Sequence, residues 1–272
     1  MRDLLLARWQ GVLLTLVVGV ATLWLAATGQ LVLYIHPRYV VFTVVMTLIG
    51  VAASLAVLLW SPRADDPDDH DHADETWPTE EPGRARRRRS RPGRAALRRS
   101  LLTAGTIVVT ALAVAIVALP PATLTSATAT TRDVNSSTAA LEGTTVDEAN
   151  AAGSSAYASF SVLDWAGLLR QTSDVAFYTG KQADVTGIVT ASGDDPDVFY
   201  LTRFVVTCCA VDAQPVGVPV QLPDWRDEFA VDQWVRVEGG FQTNRSAESS
   251  DPVALVPETI EQVDQPSDPY LY

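Results

Sequence analysis

Two adjacent cysteines are the sharpest chemical feature of the sequence. Cys208 and Cys209 are the only cysteines in 272 residues, and Asp212 follows three positions after the second. Neighbouring residues of a regular strand point to opposite faces, so both thiols can reach one ligand only where the strand ends or bends. The residues that follow permit such a bend. Because thiolates with a carboxylate suit zinc or a similar ion, Cys208, Cys209 and Asp212 form a candidate metal site.

The two cysteines also fit other roles. One of them can be a small core side chain while the other lies at the surface. A disulfide between the two neighbours, or a redox role, fits an oxidising exterior, although their spacing does not match a thioredoxin-like Cys-x-x-Cys site. The sequence around them has no Ser-x-x-Lys, Gly-x-Ser-x-Gly or Walker motif, so hydrolytic and nucleotide chemistry are unsupported. We therefore expect a protein that is not an enzyme.

Three histidines complete the candidate ligands. His36 lies in a Tyr-Ile-His-Pro-Arg-Tyr turn and is expected on the same side of the membrane as the cysteines, which makes it a candidate fourth ligand. The alternative is a histidine that caps a helix end at the membrane interface. His70 and His72 lie among acidic residues and are candidates for weak capture of a divalent cation. Alternatively, they belong to a solvated arm whose acids neutralise neighbouring arginines.

The elements that position these residues follow from the segment Arg84–Arg99, which contains nine arginines. Clustered arginines beside a membrane span stay on the cytoplasmic face, because moving them across the bilayer is costly. They also suit contact with anionic lipids. With this segment inside, the N-terminus is cytoplasmic, which agrees with Arg2 and Arg8. Everything that follows the last apolar segment is then extracytoplasmic.

The apolar segments predict three transmembrane helices in a multi-pass protein of the cell membrane. Each is close to the 20 or so residues that cross the roughly 30 Å hydrocarbon layer, and a cleavable signal peptide is the alternative for the first. The segments are Gly11–Thr28, extended by Leu31–Ile35, then Val40–Trp60 and Leu101–Leu119. The predicted organisation is a two-helix transmembrane hairpin (residues 1–60), a charged cytoplasmic loop (61–100), a third transmembrane helix (101–120), a flexible tether (121–160) and an extracytoplasmic domain (161–272).

The extracytoplasmic domain is predicted to be a small all-β, OB-like barrel preceded by one helix. Val162–Arg170 has apolar residues at helical spacing. After Phe177 the apolar period changes to two, which is typical of half-buried strands separated by turns. Five short strands in about 100 residues fit an OB-like barrel. They are predicted at residues 182–190, Phe199–Cys209, Val216–Leu222, Trp234–Phe241 and Val253–Val263.

Charge excludes nucleic acid as a partner of this domain. Residues 120–272 hold 7 basic and 22 acidic residues in a chain of net charge −12, and such a surface repels phosphate backbones. The chain is 47% hydrophobic with a mean hydropathy of +0.12, which favours a mixed membrane and soluble protein. Arg203, inside a predicted strand, is expected to pair with a carboxylate such as Asp212 or Asp184. An anion-binding role is the alternative.

Several motifs of the sequence occur together in one known family. They are Phe177-Tyr178-x-Gly180-Lys181, Gly187-Ile188-Val189, Arg203-Phe204-x4-Cys208-Cys209-x-x-Asp212-x-x-Pro215-Val216-Gly217, Trp234-Val235-x-Val237-x-Gly239 and Pro266-x-Asp268-Pro269-Tyr270-Leu271-Tyr272. With the membrane helices and the variable loop that contains histidine, they resemble the YcgQ-like family of bacterial membrane proteins over the whole chain. The resemblance implies a subunit of a two-gene transport system, paired with a YcgR-like multi-span permease, and a role in handling a divalent metal such as zinc. The extra apolar segment at 101–119 departs from a simple two-span form.

The functional expectation is an integral-membrane accessory subunit of a two-component permease system, in contact with the lipid bilayer and a multi-span permease. Three spans are too few to enclose a polar pathway, and their apolar faces lack the charged residues that mark one. The cofactor is left open, with zinc as the candidate. The alternatives are an extracytoplasmic sensor that binds a metal or a thiol, and a membrane-anchored redox protein that uses Cys208 and Cys209.

Overall fold

The computed structural model describes residues 2–59, six single positions between 104 and 115, and residues 123–137, 143–245 and 250–272. The chain divides into two compact units, residues 1–29 with 41–120 and residues 30–40 with 121–272. We call them the helical unit and the β unit. The turn of residues 30–40 belongs to the β unit, although it connects two helices. His36 and the two cysteines are therefore in the same unit.

The described part of the helical unit consists mainly of two helices, α1 (Arg2–Ala27) and α2 (Val40–Leu59). Pro37–Val57 is the one described segment long and apolar enough to cross a membrane, with 21 residues and a hydropathy of 2.5. At 1.5 Å per residue it extends about 31 Å, the thickness of the hydrocarbon layer. Gly19 lets α1 and α2 approach closely, since a Cβ there would lie 2.6 Å from a methyl group of Val51.

The predicted three transmembrane helices are only partly matched by the described residues. The second predicted span is α2, whereas the apolar part of the first, Gly11–Ala27, is shorter than a span. The third, Leu101–Leu119, lies mostly outside the described residues, and the charged loop 61–100 lies wholly outside them. The number of spans and the orientation of the termini stay predictions.

The predicted amphipathic helix is confirmed as α5 (Val162–Gln171). Ser161 and Asp164 form a capping box at its start, in which the Ser161 N–H and hydroxyl donate to the Asp164 carboxylate at 2.8 and 2.7 Å. The apolar face is buried, and Trp165 is wholly inaccessible. The other helices of the β unit are α3 (Ser126–Thr131), α4 (Val146–Ala151), α6 (Val175–Tyr178) and α7 (Trp225–Glu228), with 3₁₀ turns at Gln30–Leu33, Pro37–Tyr39, Ser154–Ser159 and Ala210–Asp212.

The predicted flexible tether, residues 121–160, differs in the structure. Its described part contains α3, α4 and a 3₁₀ turn that pack on the domain. Ala149 is wholly buried in the main core, and the Tyr157 hydroxyl donates to its carbonyl oxygen at 3.0 Å. Alanine, serine and threonine are common in linkers, but their small side chains also allow helices to pack closely against a sheet. The packed domain therefore begins before residue 161.

Six strands form one sheet in the β unit. They are β1 (Gln182–Ala191), β2 (Val198–Val205), β3 (Gln214–Gln221), β4 (Trp234–Thr243), β5 (Val253–Gln262) and β6 (Tyr270–Leu271). The five predicted strands are all present. Most of their ends lie within about two residues of the predicted ones. The larger differences are that β2 ends four residues before the predicted Cys209 and that β6 was not predicted. β6 is only two residues long, and so short a segment has no recognisable period.

The sheet is ring-like but is not a closed barrel. Its order is β1-β4-β5-β3-β2-β6, with a further antiparallel pairing of β1 and β2. β3 and β5 are joined by a single parallel pair, Val220 with Leu255. The predicted OB-like barrel is therefore confirmed only as a β-sheet domain. The main core lies between α5 and the sheet, and a second cluster that includes Phe204, Val206 and Tyr270 lies at the end of β2.

Candidate metal centre

The cysteines lie just beyond the end of β2, where the chain bends. After Val205 the backbone turns through Thr207 and Cys208, Cys209 is extended, and Ala210–Asp212 forms a 3₁₀ turn. The condition set by the sequence, that the strand must end before two adjacent thiols can share a ligand, is therefore met. We call Cys208–Asp212 the cysteine turn.

Three potential ligands converge in the cysteine turn. One ligand atom each from Cys208, Cys209 and Asp212 lies within 4.8 Å of the others. Both cysteines are free thiols; Cys208 is exposed and Cys209 is partly buried. The Asp212 carboxylate closes the turn, because it accepts hydrogen bonds from the N–H of Cys208 at 2.7 Å and of Cys209 at 3.3 Å.

The electrostatics of the cysteine turn oppose a free thiolate. The hydrogen bond to Cys209 and the charge of that neighbour, together with burial and Asp212, raise the pKa of Cys208. A nucleophilic or redox-active cysteine usually has a lowered pKa, supported by a nearby positive charge. A cation bound between the three groups would supply that charge and favour deprotonation. The arrangement therefore suits cation binding better than thiol catalysis.

His36 meets the cysteine turn through its backbone. Ile35 and Cys209 form an isolated antiparallel bridge. The N–H of His36 donates to the carbonyl oxygen of Cys208 at 3.0 Å, and the N–H of Ala210 donates to that of Tyr34 at 2.8 Å. The sequence grouped His36 with the cysteines only because both were expected outside the cell. The structure adds a direct pairing of their backbones.

The imidazole of His36 already has a structural role. Its Nδ1 accepts from the N–H of Arg38 at 3.1 Å and so caps the 3₁₀ turn Pro37–Tyr39, and its Nε2 lies 3.4 Å from the Arg38 guanidinium. Burial and Arg38 lower the pKa of His36, while Asp212 acts in the opposite direction. The capping alternative is thus observed, and the ring is not among the three converging ligands. Coordination by His36 stays a prediction. His70 and His72 lie outside the described residues.

The prediction that Arg203 pairs with a carboxylate such as Asp212 or Asp184 is wrong. Its guanidinium donates to three backbone carbonyl oxygens, those of Thr186 at 3.2 Å, Asp268 at 2.5 Å and Pro269 at 3.0 Å. Asp184 pairs instead with Arg236, at 2.6 and 2.7 Å. Backbone carbonyls exist at every residue, so sequence composition carries no signal for such a partner.

Two residues that support the cysteine turn, directly or through the turn of residues 30–40, were not predicted from the sequence. Arg132, in the predicted tether, donates to the carbonyl oxygens of Val211 at 2.7 Å and Ala213 at 2.5 Å, and so holds the far end of the cysteine turn. Tyr272 contacts the turn of residues 30–40, with its hydroxyl donating to Val32 at 3.1 Å. Tyr272 belongs to one of the motifs quoted above, but nothing in the sequence indicated its partner.

Comparisons with known proteins concern mainly the sheet domain. Residues 163–272 match the family model of the DUF1980 C-terminal domain, which is consistent with a YcgQ-like protein. Together with the one helix of spanning length among the described residues, the match favours a membrane-associated protein. No curated protein matches the chain. A solved structure, "OBody AM3L09 bound to hen egg-white lysozyme", aligns at 20% identity over 31% of this chain and 83% of that chain, with a TM-score of 0.21. A likeness that low carries no argument.

Proposed function

We propose that this protein is a membrane-anchored, non-enzymatic subunit that binds a thiophilic divalent cation, with zinc as the candidate, on the outer side of the cell membrane. The cation is held by Cys208, Cys209 and Asp212, and the protein serves as the accessory subunit of a multi-span permease. The observation that carries the proposal is the convergence of these three ligand atoms within 4.8 Å.

The donor set and its spacing support zinc. A tetrahedral zinc ion bound by two thiolates at about 2.3 Å holds the sulfurs about 3.8 Å apart. Contraction of the cluster by at most about 1 Å would therefore complete three of four positions. Two thiolates and a carboxylate also carry three negative charges, more than enough to neutralise a divalent ion, and soft thiolates favour zinc over hard cations such as magnesium. The fourth position is open to water, to His36 or to a group from the permease.

The pairing between the turn of residues 30–40 and the cysteine turn supports the outer location. Two groups that hydrogen-bond to each other lie in the same compartment. If α1 and α2 cross the bilayer from a cytoplasmic N-terminus, their connecting turn is outside, and so is the sheet domain. The chain leaves α2 inside and must cross once more before residue 121. Leu101–Leu119 is the apolar segment available for that crossing.

The domain architecture is proposed to be a variant of the OB-like barrel. Its support is the strand order, in which β1 pairs with both β2 and β4 and so almost closes the ring. Such a domain on a membrane anchor would present the cysteine turn to a partner. The permease itself is inferred from the small number of predicted spans: three helices are too few to enclose a polar pathway, and their apolar faces lack the charged residues that mark one.

Metal content of the purified full-length protein tests the site. Wild-type protein in detergent is expected to retain about one zinc ion per chain after gel filtration, and Cys208→Ser, Cys209→Ser and Asp212→Asn are each expected to lose it. Asp227→Asn, an exposed carboxylate in α7, is the matched control and should retain zinc. Equal zinc content in wild type and in a Cys208→Ser/Cys209→Ser double variant would refute the site.

A sensor is the second candidate function, and the pairing of Cys209 with Ile35 favours it, because a ligand at the cysteine turn would act on the segment that connects α1 and α2. Co-purification separates the two functions. A stable complex with a multi-span permease supports the accessory subunit, whereas a solitary protein that still binds zinc supports the sensor. Thiol titration before and after mild oxidation tests the remaining redox alternative, which requires loss of two titratable thiols.

A further inference from the structure

We propose that Tyr272 is a positioning residue for the cysteine turn and that it acts through the turn of residues 30–40. The proposal rests on the proposed function for the identity of the ligand, but the positioning itself does not depend on which ligand binds. It links three segments far apart in sequence: Asp268–Tyr272, residues 30–40 and the cysteine turn.

The segment Asp268–Tyr272 is fixed on β2. The guanidinium of Arg203, in β2, donates to two carbonyl oxygens of the segment at 2.5 and 3.0 Å. β6, which lies inside the segment, pairs in parallel with the last two residues of β2. The N–H of Val206 then donates to the carbonyl oxygen of Leu271 at 2.9 Å, and the ring of Tyr270 is buried. The backbone that carries the side chain of Tyr272 therefore has a defined position.

From that position Tyr272 reaches the turn of residues 30–40 in two ways. Its hydroxyl donates to the carbonyl oxygen of Val32 at 3.1 Å. Its ring meets the imidazole of His36 edge to face, with the ring centroids 4.9 Å apart at 62°. A tyrosine hydroxyl is protonated at neutral pH and can therefore donate this bond.

The turn of residues 30–40 in turn fixes the cysteine turn. Five hydrogen bonds of the backbone define the conformation around Cys209. Three of them involve Asp212: two end on its carboxylate, and its own N–H donates to the carbonyl oxygen of Cys209 at 2.9 Å. The other two are exchanged with His36 and Tyr34 across the antiparallel bridge. If the turn of residues 30–40 moves away, these two bonds are lost. Convergence of the two thiols then depends on the bonds of Asp212 and on Arg132, which holds the far end of the turn.

The test compares Tyr272→Ala with Tyr272→Phe in the full-length protein in detergent. The alanine variant loses the ring contact and the hydrogen bond, whereas phenylalanine loses only the hydrogen bond. Tyr39→Phe is the matched control. The ring centroid of Tyr39 lies 6.1 Å from that of His36, and the Tyr39 hydroxyl has no hydrogen bond among the described residues. Two quantities are measured: zinc affinity by competition with a chelating dye, and hydrogen exchange of the metal-free protein in peptides that cover residues 30–38 and 204–226.

Tyr272→Ala is expected to weaken zinc binding by about tenfold, the lower range for a residue that orients metal ligands. Tyr272→Phe should weaken it by about fivefold, the effect of one hydrogen bond, and Tyr39→Phe should leave it unchanged. In the metal-free protein, exchange in Tyr272→Ala should accelerate in the two named peptides but not in β4 and β5. Peptides from those two strands report the rest of the β unit.

The exchange measurement decides the proposal even if zinc is the wrong ligand. Wild-type protein that binds no zinc would refute the proposed function, and positioning would still be judged from exchange. Unchanged exchange at the cysteine turn in Tyr272→Ala would overturn the positioning role. Equal acceleration throughout the β unit would also overturn it, because that result describes a general loss of stability.

Discussion

A disulfide between residues 35 and 209 would trap the contact on which the topology depends. Ile35 lies opposite Cys209, and the hydrogen bonds run between their neighbours, which makes them a non-hydrogen-bonded pair. Such pairs have Cα atoms about 4.5 Å apart, at the short end of the window of about 4.4–6.8 Å for disulfides. Ile35→Cys in a Cys208→Ser background should therefore form a bond with Cys209 under mild oxidation of the folded protein.

The magnitude follows from the length of the loop that the bond closes. Residues 35 and 209 enclose about 175 residues, and closing a loop of that length stabilises the folded state by about 5 kcal/mol in the chain-entropy estimate. The oxidised variant should unfold at a higher temperature than its reduced form. Reduction should restore the lower unfolding temperature. Zinc plays no part in this test, because the Cys208→Ser background already lacks one of the proposed ligands.

Tryptic peptides provide the assay. After oxidation, the protein is denatured, its free thiols are alkylated and it is digested; the bond joins the peptide of residues 9–38 to that of residues 204–226. Tyr34→Cys in the same background is the control, because adjacent residues of an extended segment point to opposite faces. Absence of the joined peptide in Ile35→Cys, or an equal yield in Tyr34→Cys, would refute the pairing and the topology argued from it.

Three other substitutions test the supports around the site. Arg203→Met removes three hydrogen bonds to backbone carbonyl oxygens. The bond to Asp268 is exposed, so water can replace it there. The unfolding temperature should fall by roughly 10 °C, for a loss of about 3 kcal/mol in the free energy of unfolding. Asp164→Asn should cost about 2 kcal/mol at pH 7 through the capping box and the Thr144 contacts. Burial opposes ionisation of Asp164, but the hydrogen bonds from Ser161 and Thr144 outweigh it and lower its pKa. The difference in unfolding temperature should therefore be complete above the ordinary carboxyl pKa and vanish as the pH falls through the lowered one. Arg132→Met should increase the rate at which a maleimide labels Cys208 by about fivefold, because it frees the carbonyl oxygens of Val211 and Ala213.

Periodicity predicted the elements whose own side chains face the core. The helical spacing in Val162–Arg170 predicted α5, and alternation predicted β4, where buried and partly exposed residues alternate from Val235 to Phe241. The need for a bend at Cys208 followed from strand geometry and is observed. In each case the signal lies within the segment itself, which is why sequence alone was sufficient.

The missed features depend on partners that are distant in sequence. Arg203 bonds to carbonyl oxygens more than sixty residues away, and Tyr272 bonds to Val32 across 240 residues. β6 exists only because β2 offers a free edge to two residues. The helices of the predicted tether have the composition of a linker. Only the structure shows that their small side chains, such as that of Ala149, are buried. Long-range contacts of these kinds leave no periodic signal in a single sequence.

Any ligand at the cysteine turn is coupled to the turn of residues 30–40, whichever function is correct. The carbonyl oxygen of Cys208 and the N–H of Ala210 are both bonded to that turn, and the segment of spanning length begins at Pro37, directly after His36. A ligand that contracts the thiols must preserve these bonds or exchange them for others. By linkage, whatever stabilises the paired conformation increases ligand affinity, and the ligand stabilises the pairing by the same free energy. A permease that binds the turn of residues 30–40 would therefore change the zinc affinity without contacting Cys208, Cys209 or Asp212. Both delivery to a transporter and sensing require this property.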